Sequence, residues 1–197
     1  MRRGFVLGGV VAGVILILLG VGSIVVGASG RSEVQDRIAD EQIVGTPDMT
    51  PDATQAAVEE TGLTDVEVPD CSVADEEVDT GSEAKCFASY MRIHALESSG
   101  GQVYAEMPRA VYEKTGKPVP EDKAAAALEN GTAIDNPERQ AWVTETALST
   151  ALNTSYFAEQ VSDFSIAMGI ALALIGIGLL VLTFGALRPQ LAPRERV

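Results

Sequence analysis

The sequence predicts a mainly α chain: two transmembrane helices forming a hairpin, with long helical extensions and a small, disulfide-closed, mostly helical extracytoplasmic domain. Three observations carry this reading. Two uncharged apolar runs of 24 residues, 5–28 and 164–187, stand near the two ends of the 197-residue chain. Arginines lie just outside both outer ends of these runs, and the segment between the runs is strongly acidic and holds both cysteines, Cys71 and Cys86.

Each run would extend roughly 36 Å as a helix at about 1.5 Å per residue, enough to cross a hydrocarbon core of about 30 Å with some tilt. The first run has a rival reading as a cleaved signal peptide, because Arg2 and Arg3 precede it and a small-residue "VGA" ends it. A signal core of about 7 to 15 residues is much shorter, so a retained anchor is expected. Arg2 and Arg3 before the first span, and Arg188, Arg194 and Arg196 after the second, place both termini in the cytoplasm by the positive-inside rule. The expected division is therefore a cytoplasmic N-terminus (1–4), transmembrane helix 1 (5–28), an acidic extracytoplasmic domain with a helical stalk (29–163), transmembrane helix 2 (164–187) and a cytoplasmic tail (188–197). The location is the plasma membrane, with two spans.

Residues 31–163 carry 9 lysines and arginines against 27 aspartates and glutamates, a net charge of −18. A surface of that sign repels nucleic acid and anionic headgroups, which excludes nucleic-acid binding as an expected function. The expected partners are the lipid bilayer and another membrane or envelope protein; the sequence leaves the oligomeric state open. Two cysteines in an extracytoplasmic segment predict a Cys71–Cys86 disulfide, against the alternative of two free thiols; their spacing does not suit a metal knuckle.

The elements follow in order. Val34 and Ile38 fall at i and i+4 among charges, so the first helix is expected to run on as a polar stalk until Gly45 and Pro47. Thr50 or Asp52 can cap a short helix with Pro51 in its first turn and Gly62 at its end. Residues 64–86 read as an acidic loop with one short strand at Val66, Val68 and Val73. From Lys85, Phe87, Tyr90, Met91, His94 and Ala95 recur at helical spacing until Gly100 and Gly101. The stretch after Tyr104, with three prolines and an alanine-rich turn, reads as surface loop, and the sequons at Asn130 and Asn153 read as chance matches. Asn136 caps and Pro137 opens a last helix, in which Ala141, Leu148, Leu152, Tyr156 and Val161 follow at near-heptad spacing. No breaker separates it from the second span, so one helix of about 50 residues is expected to pair with the first helix as an antiparallel hairpin.

Small residues mark the expected helix packing within the membrane: Gly9 and Gly13 on the first span, and Gly169 with Ala173 on the second. Leu148, Leu152 and Tyr156 continue the packing face outside. Neither span contains an ionisable group, which argues against a proton relay, ion path or transporter site.

No motif carries chemistry. Asp75, Glu77 and Asp79 match positions 1, 3 and 5 of an EF-hand loop, but Thr80 stands where glycine and Cys86 where the closing glutamate is needed, leaving at most a weak, irregular cation site. "EKTGKPVP" lacks the serine or threonine of a phosphate loop, at Pro118. With one histidine, His94, neither a usual zinc site nor a facial iron triad can be assembled, and no serine elbow is present. His94 shares a helix face with Phe87, Tyr90 and Met91, so its expected role is structural, with a nitrogen on a nearby carboxylate or carbonyl. No catalytic residue, metal ligand or cofactor is expected.

The combination of "ADEQIVGTPDMTP", "YMRIHALESSGGQVYAEM" and "WVTETALSTALNTSYFAEQV" running into a glycine-rich span resembles a group of uncharacterised actinobacterial two-span membrane proteins, over most of the chain. Relatives of that group carry the label aromatic ring-opening dioxygenase. Such an enzyme needs two histidines with a carboxylate, and here His94 stands alone, so the resemblance implies a fold and a location, not a mechanism. The expected function is that of a non-catalytic accessory or scaffold protein docking onto another membrane or envelope component. The alternative is a surface sensor of a small ligand or cation, or a surface enzyme of unknown chemistry.

Overall fold

A computed structural model describes residues 2–64, 66–120 and 131–187. Arg188, Arg194 and Arg196, the alanine-rich turn and Asn130 lie outside the described residues. The chain is mainly helical. In order, it forms α1 (Arg2–Asp40), α2 (Pro51–Thr61), α3 (Gly81–Ser98), β1 (Ala110–Tyr112), β2 (Ala133–Asp135) and α4 (Pro137–Leu187). Two compact units result: one from Met1–Val34 with Ala158–Val197, and a central one from Gln35–Phe157. Both α1 and α4 are long and apolar enough to cross a membrane.

In the first unit, α1 and α4 meet along small residues. Gly13, Gly20 and Gly27 recur every seven residues on α1, and Ser162, Gly169 and Gly176 do so on α4; all six are buried. A seven-residue period keeps one stripe of a slightly supercoiled helix facing its neighbour, and residues without bulk let the backbones approach. The contacts run in opposite chain directions. Gly9 faces Thr183, Gly13 faces Gly176 and Leu180, Gly20 faces Gly169 and Ala173, and Gly27 faces Ser162 and Ile166. The Ser23 hydroxyl donates to the Ser165 carbonyl at 2.8 Å. Beside Gly30, Arg31 reaches Glu159 Oε1 at 3.2 Å and Asp163 Oδ1 at 2.9 Å.

The central unit is built from helix ends that the local sequence sets. Thr50 caps α2 with its hydroxyl on the Ala53 amide, Pro51 opens the helix, and Gly62 closes it at φ 69°, a left-handed conformation that glycine adopts without a Cβ penalty. The third helix starts at Gly81, four residues before the expected Lys85. Thr80 and Glu83 form a reciprocal capping box there: the Thr80 hydroxyl accepts from the Glu83 amide, and the Glu83 carboxylate accepts from the Thr80 amide. Buried Ala84, Ala88, Tyr90 and Ile93 give α3 its inner face.

Helix α1 ends at Asp40, earlier than the expected stop at Gly45 and Pro47. Glu41 and Gln42 donate three residues back and Gln42 turns left-handed at φ 51°. The chain then pairs with residues 74–78 instead: the Val78 amide donates to the Ile43 carbonyl and the Gly45 amide to that of Glu76. Gly45 is required at this crossing, because a Cβ would fall 1.8 Å from the Val73 carbonyl oxygen.

Two further expectations need correction. Val66 and Val68 form no strand, and the stretch after Tyr104 that reads as loop contains two: β1 and β2 pair antiparallel, Val111 opposite Ile134. Three-residue strands are too short to show a period of two. Adjacent Val111 and Tyr112 are both buried, so the alternation that marks a half-buried strand is absent as well. The hydrophobic cluster around the cysteines consists of Met49, Val73, Cys86 and Tyr90, with Cys71 and Phe87 packed against it.

Candidate functional site

The central unit contains a cleft of about 1190 Å³ between the chain following α2, helix α3 and the outer part of α4. Its position follows from the helix faces. Trp142, Glu145, Ser149 and Leu152 follow at intervals of three and four, so one stripe of α4 carries both the packing residues and a carboxylate. Trp142 and Leu152 are buried, at 6% and 5% exposure, and Glu145 between them is buried too.

A buried carboxylate must be paired or hydrogen-bonded. Glu145 is both. Ser149 donates to Oε1 at 2.8 Å and Thr146 to Oε2 at 3.3 Å, while Arg92 of α3 approaches Oε2 to 3.5 Å. The Arg92 guanidinium also lies over the Trp142 ring, 4.1 Å from its centroid, in cation–π geometry. One arginine is thereby held on a ring and a carboxylate at once, at the edge of the cleft. Leu63, Leu96 and Val103 add apolar surface, and Thr150, Asn153, Thr154 and Phe157 line the α4 wall.

A smaller cavity of about 590 Å³ lies along the disulfide and shares Glu67 and Ser89 with the larger one. Lys85 stands over the Tyr156 ring there, 4.8 Å from the centroid.

The residues singled out from the sequence fall as follows. Cys71 and Cys86 are bonded. The buried Tyr90 hydroxyl donates to the Cys71 carbonyl, which ties α3 to the same loop; burial and then the nearby Asp70 charge raise the Tyr90 pKa above its ordinary value. His94 sits half-buried on α3, its Nε2 3.1 Å from Asp48 Oδ2 in the chain before α2. The Asp48 pKa is lowered, first by the Thr46 side chain, against some desolvation, and further by its own backbone amide and by His94. Leu152 is buried, while Leu148 and Tyr156 are half-buried.

Gly9 and Gly13 do not meet Gly169 and Ala173. The first pair lies against Thr183, Leu180 and Gly176, and the second against Gly20 and Ile24, because opposed chain directions set the two pairs at different levels. Of the acidic run, Asp75 is left-handed at φ 57°, Glu77 bridges Val44, and the Asp79 amide is taken by Glu83. Among the described residues no group of three or more metal-binding side chains comes together.

Sequence reasoning missed Arg92, Trp142, Glu145 and Ser149. The available signal was a glutamate in register with tryptophan and leucine on one helical stripe, with a serine one turn on. The seam itself follows the seven-residue period of Gly13, Gly20 and Gly27, a signal present in the sequence beside the shorter small-xxx-small spacing.

No protein-family model, curated protein or solved structure matches the chain.

Proposed function

We propose that the chain is a non-catalytic, two-span membrane protein, with both termini cytoplasmic and an acidic central unit outside, that serves as an accessory or scaffold for another membrane or envelope component. Two apolar helices, flanking arginines, the acidic middle and the disulfide all support this reading. One observation carries it. Among the described residues, the seam of α1 against α4 is lined by glycines and other small residues with leucine and isoleucine side chains beside them, residues 5–28 and 164–187 hold no ionisable group, and Arg31, Glu159 and Asp163 pair at one end. A seam of this kind holds two spans together and leaves no path for an ion, while paired charges suit the membrane–water boundary.

The transmembrane hairpin and its orientation are tested by a reporter active only outside the cytoplasm. It is expected to work when inserted near Gly131 and to fail when fused after Val197; activity at the C-terminal fusion overturns the topology. For the docking role, cross-linking in intact cells followed by purification in mild detergent is expected to yield a stoichiometric partner. A chain recovered only by itself overturns it.

The second reading, a surface sensor of a small ligand, is favoured by the cleft beside Arg92 and Glu145.

A further inference from the structure

The α4 wall of the cleft is polar in a particular way. Ser149 donates to Glu145, Thr150 to the Thr146 carbonyl, Asn153 to the Ser149 carbonyl and Thr154 to the Thr150 carbonyl. With their hydroxyl protons engaged inside the helix, Ser149, Thr150 and Thr154 offer a ligand chiefly oxygen lone pairs, and Asn153 between them keeps its carbonyl oxygen and one N–H. The α3 wall offers the reverse. Arg92 uses one ring contact and one Nη, has 45% of its side chain exposed, and its guanidinium carries five N–H donors in all. Beyond Thr154, Phe157 also lines the cleft with 67% of its surface exposed.

Charge and polarity select among ligands. An anion only accepts and would face Glu145 and Glu67, in a segment whose net charge is −18. A cation only donates and would face Arg92. A purely apolar ligand would cover the oxygen row without bonding it, which costs free energy. A neutral polyhydroxylated ligand donates and accepts at each hydroxyl and has an apolar ring face to lay on Phe157. We infer that this cleft binds a neutral saccharide, its hydroxyls bridging the Thr150–Thr154 oxygen row and the Arg92 guanidinium, with a sugar ring against Phe157.

This inference concerns the central unit alone and stands whichever way the chain crosses the membrane, so the topology reporters and the binding assay fail independently. The assay uses the full chain in phosphatidylcholine nanodiscs, which avoid sugar-headed detergents that would compete for the cleft. Maltohexaose, cellohexaose and an α-1,6-mannohexaose are titrated by calorimetry and by saturation-transfer NMR. At least one is expected to bind. Phe157→Ala and Thr150→Val, both at exposed positions, are each expected to weaken binding about tenfold or more. Val143→Ala, exposed on the same helix but outside the cleft, is expected to leave it unchanged. Binding of none of the three sugars, indifference to Phe157→Ala and Thr150→Val in folded protein, or equal binding of an uncharged Ala/Ser hexapeptide overturns the assignment.

Discussion

A Cβ placed on Gly20 would lie 2.6 Å from the Gly169 carbonyl oxygen, and one placed on Gly169 would lie 2.6 Å from that of Gly20. The two glycines thus face each other across the seam, backbone against backbone. Gly22, two residues along the same helix, has nothing within 4 Å of such a Cβ. Gly20→Leu is expected to force the helices apart, at a cost of about 1–3 kcal/mol or more, whereas Gly22→Ala is expected to be neutral. Ser23→Cys with Ser165→Cys reports the seam by oxidative cross-linking: efficient formation in the parent and in Gly22→Ala, and strong loss in Gly20→Leu. Equal cross-linking in all three would contradict the packing.

The Cys71–Cys86 bond closes a loop with a sequence separation of 15. In the chain-entropy account a loop of that size contributes on the order of 3 kcal/mol. Cys71→Ser and Cys86→Ser are each expected to lower stability by a similar amount, and the double variant by little more than either, because one bond is lost in every case. Unfolding of the nanodisc-held protein with and without reductant measures this. Thiol labelling of native protein before reduction would show the bond absent.

Acid is expected to weaken the central unit through two carboxylates. The Asp48 pKa lies below its ordinary 3.8 because of Thr46, its own amide and His94. Burial works against the Glu83 charge, but the Asp79 and Thr80 amides and the Thr80 hydroxyl outweigh it and hold that pKa below 4.5. A carboxylate depressed on folding stabilises above its unfolded pKa and loses that contribution as pH falls through the folded value. Stability is therefore expected to be level near neutrality and to fall below about pH 4.5, with a shallower fall in Asp48→Asn and in Glu83→Gln. His94→Gln keeps a hydrogen-bonding group opposite Asp48 and is expected to cost no more than about 1–2 kcal/mol at pH 7. Unchanged acid profiles in both carboxylate variants would refute these assignments.

Glu145 and Arg92 are expected to be coupled. Arg92→Ala leaves a carboxylate, 7% exposed, without its cation and uncovers Trp142, whereas Glu145→Ala removes the acceptor shared by Arg92, Ser149 and Thr146. Each single change is expected to cost about 1–3 kcal/mol, with the double variant less damaging than the sum. Additive losses in a double-mutant cycle would mean that the pair does not interact.

Helix ends were the most legible part of the fold. Thr50, Pro51 and Gly62 bracket α2, and Asn136 with Pro137 opens α4, because capping acts within one turn and is written in adjacent residues. Helix α3 starts ahead of its apolar stripe because the Thr80–Glu83 capping box, and not the stripe, sets its first turn. Strands β1 and β2 were missed because three residues hold no readable period, and their pairing joins positions more than twenty residues apart.

The sequence by itself determined the two long apolar helices, the acidity of the segment between them and the two cysteines, since each rests on composition or on signals a few residues long. Tertiary structure alone decided which glycines meet, that Arg92 lies between Trp142 and Glu145, and that His94 turns to Asp48. The physical reason is range. Propensity, capping and hydropathy act along one turn or one span. The register of two helices, or the partner of a side chain 46 or 53 residues away, emerges only when many weak contacts are satisfied together, and no local stretch encodes that sum.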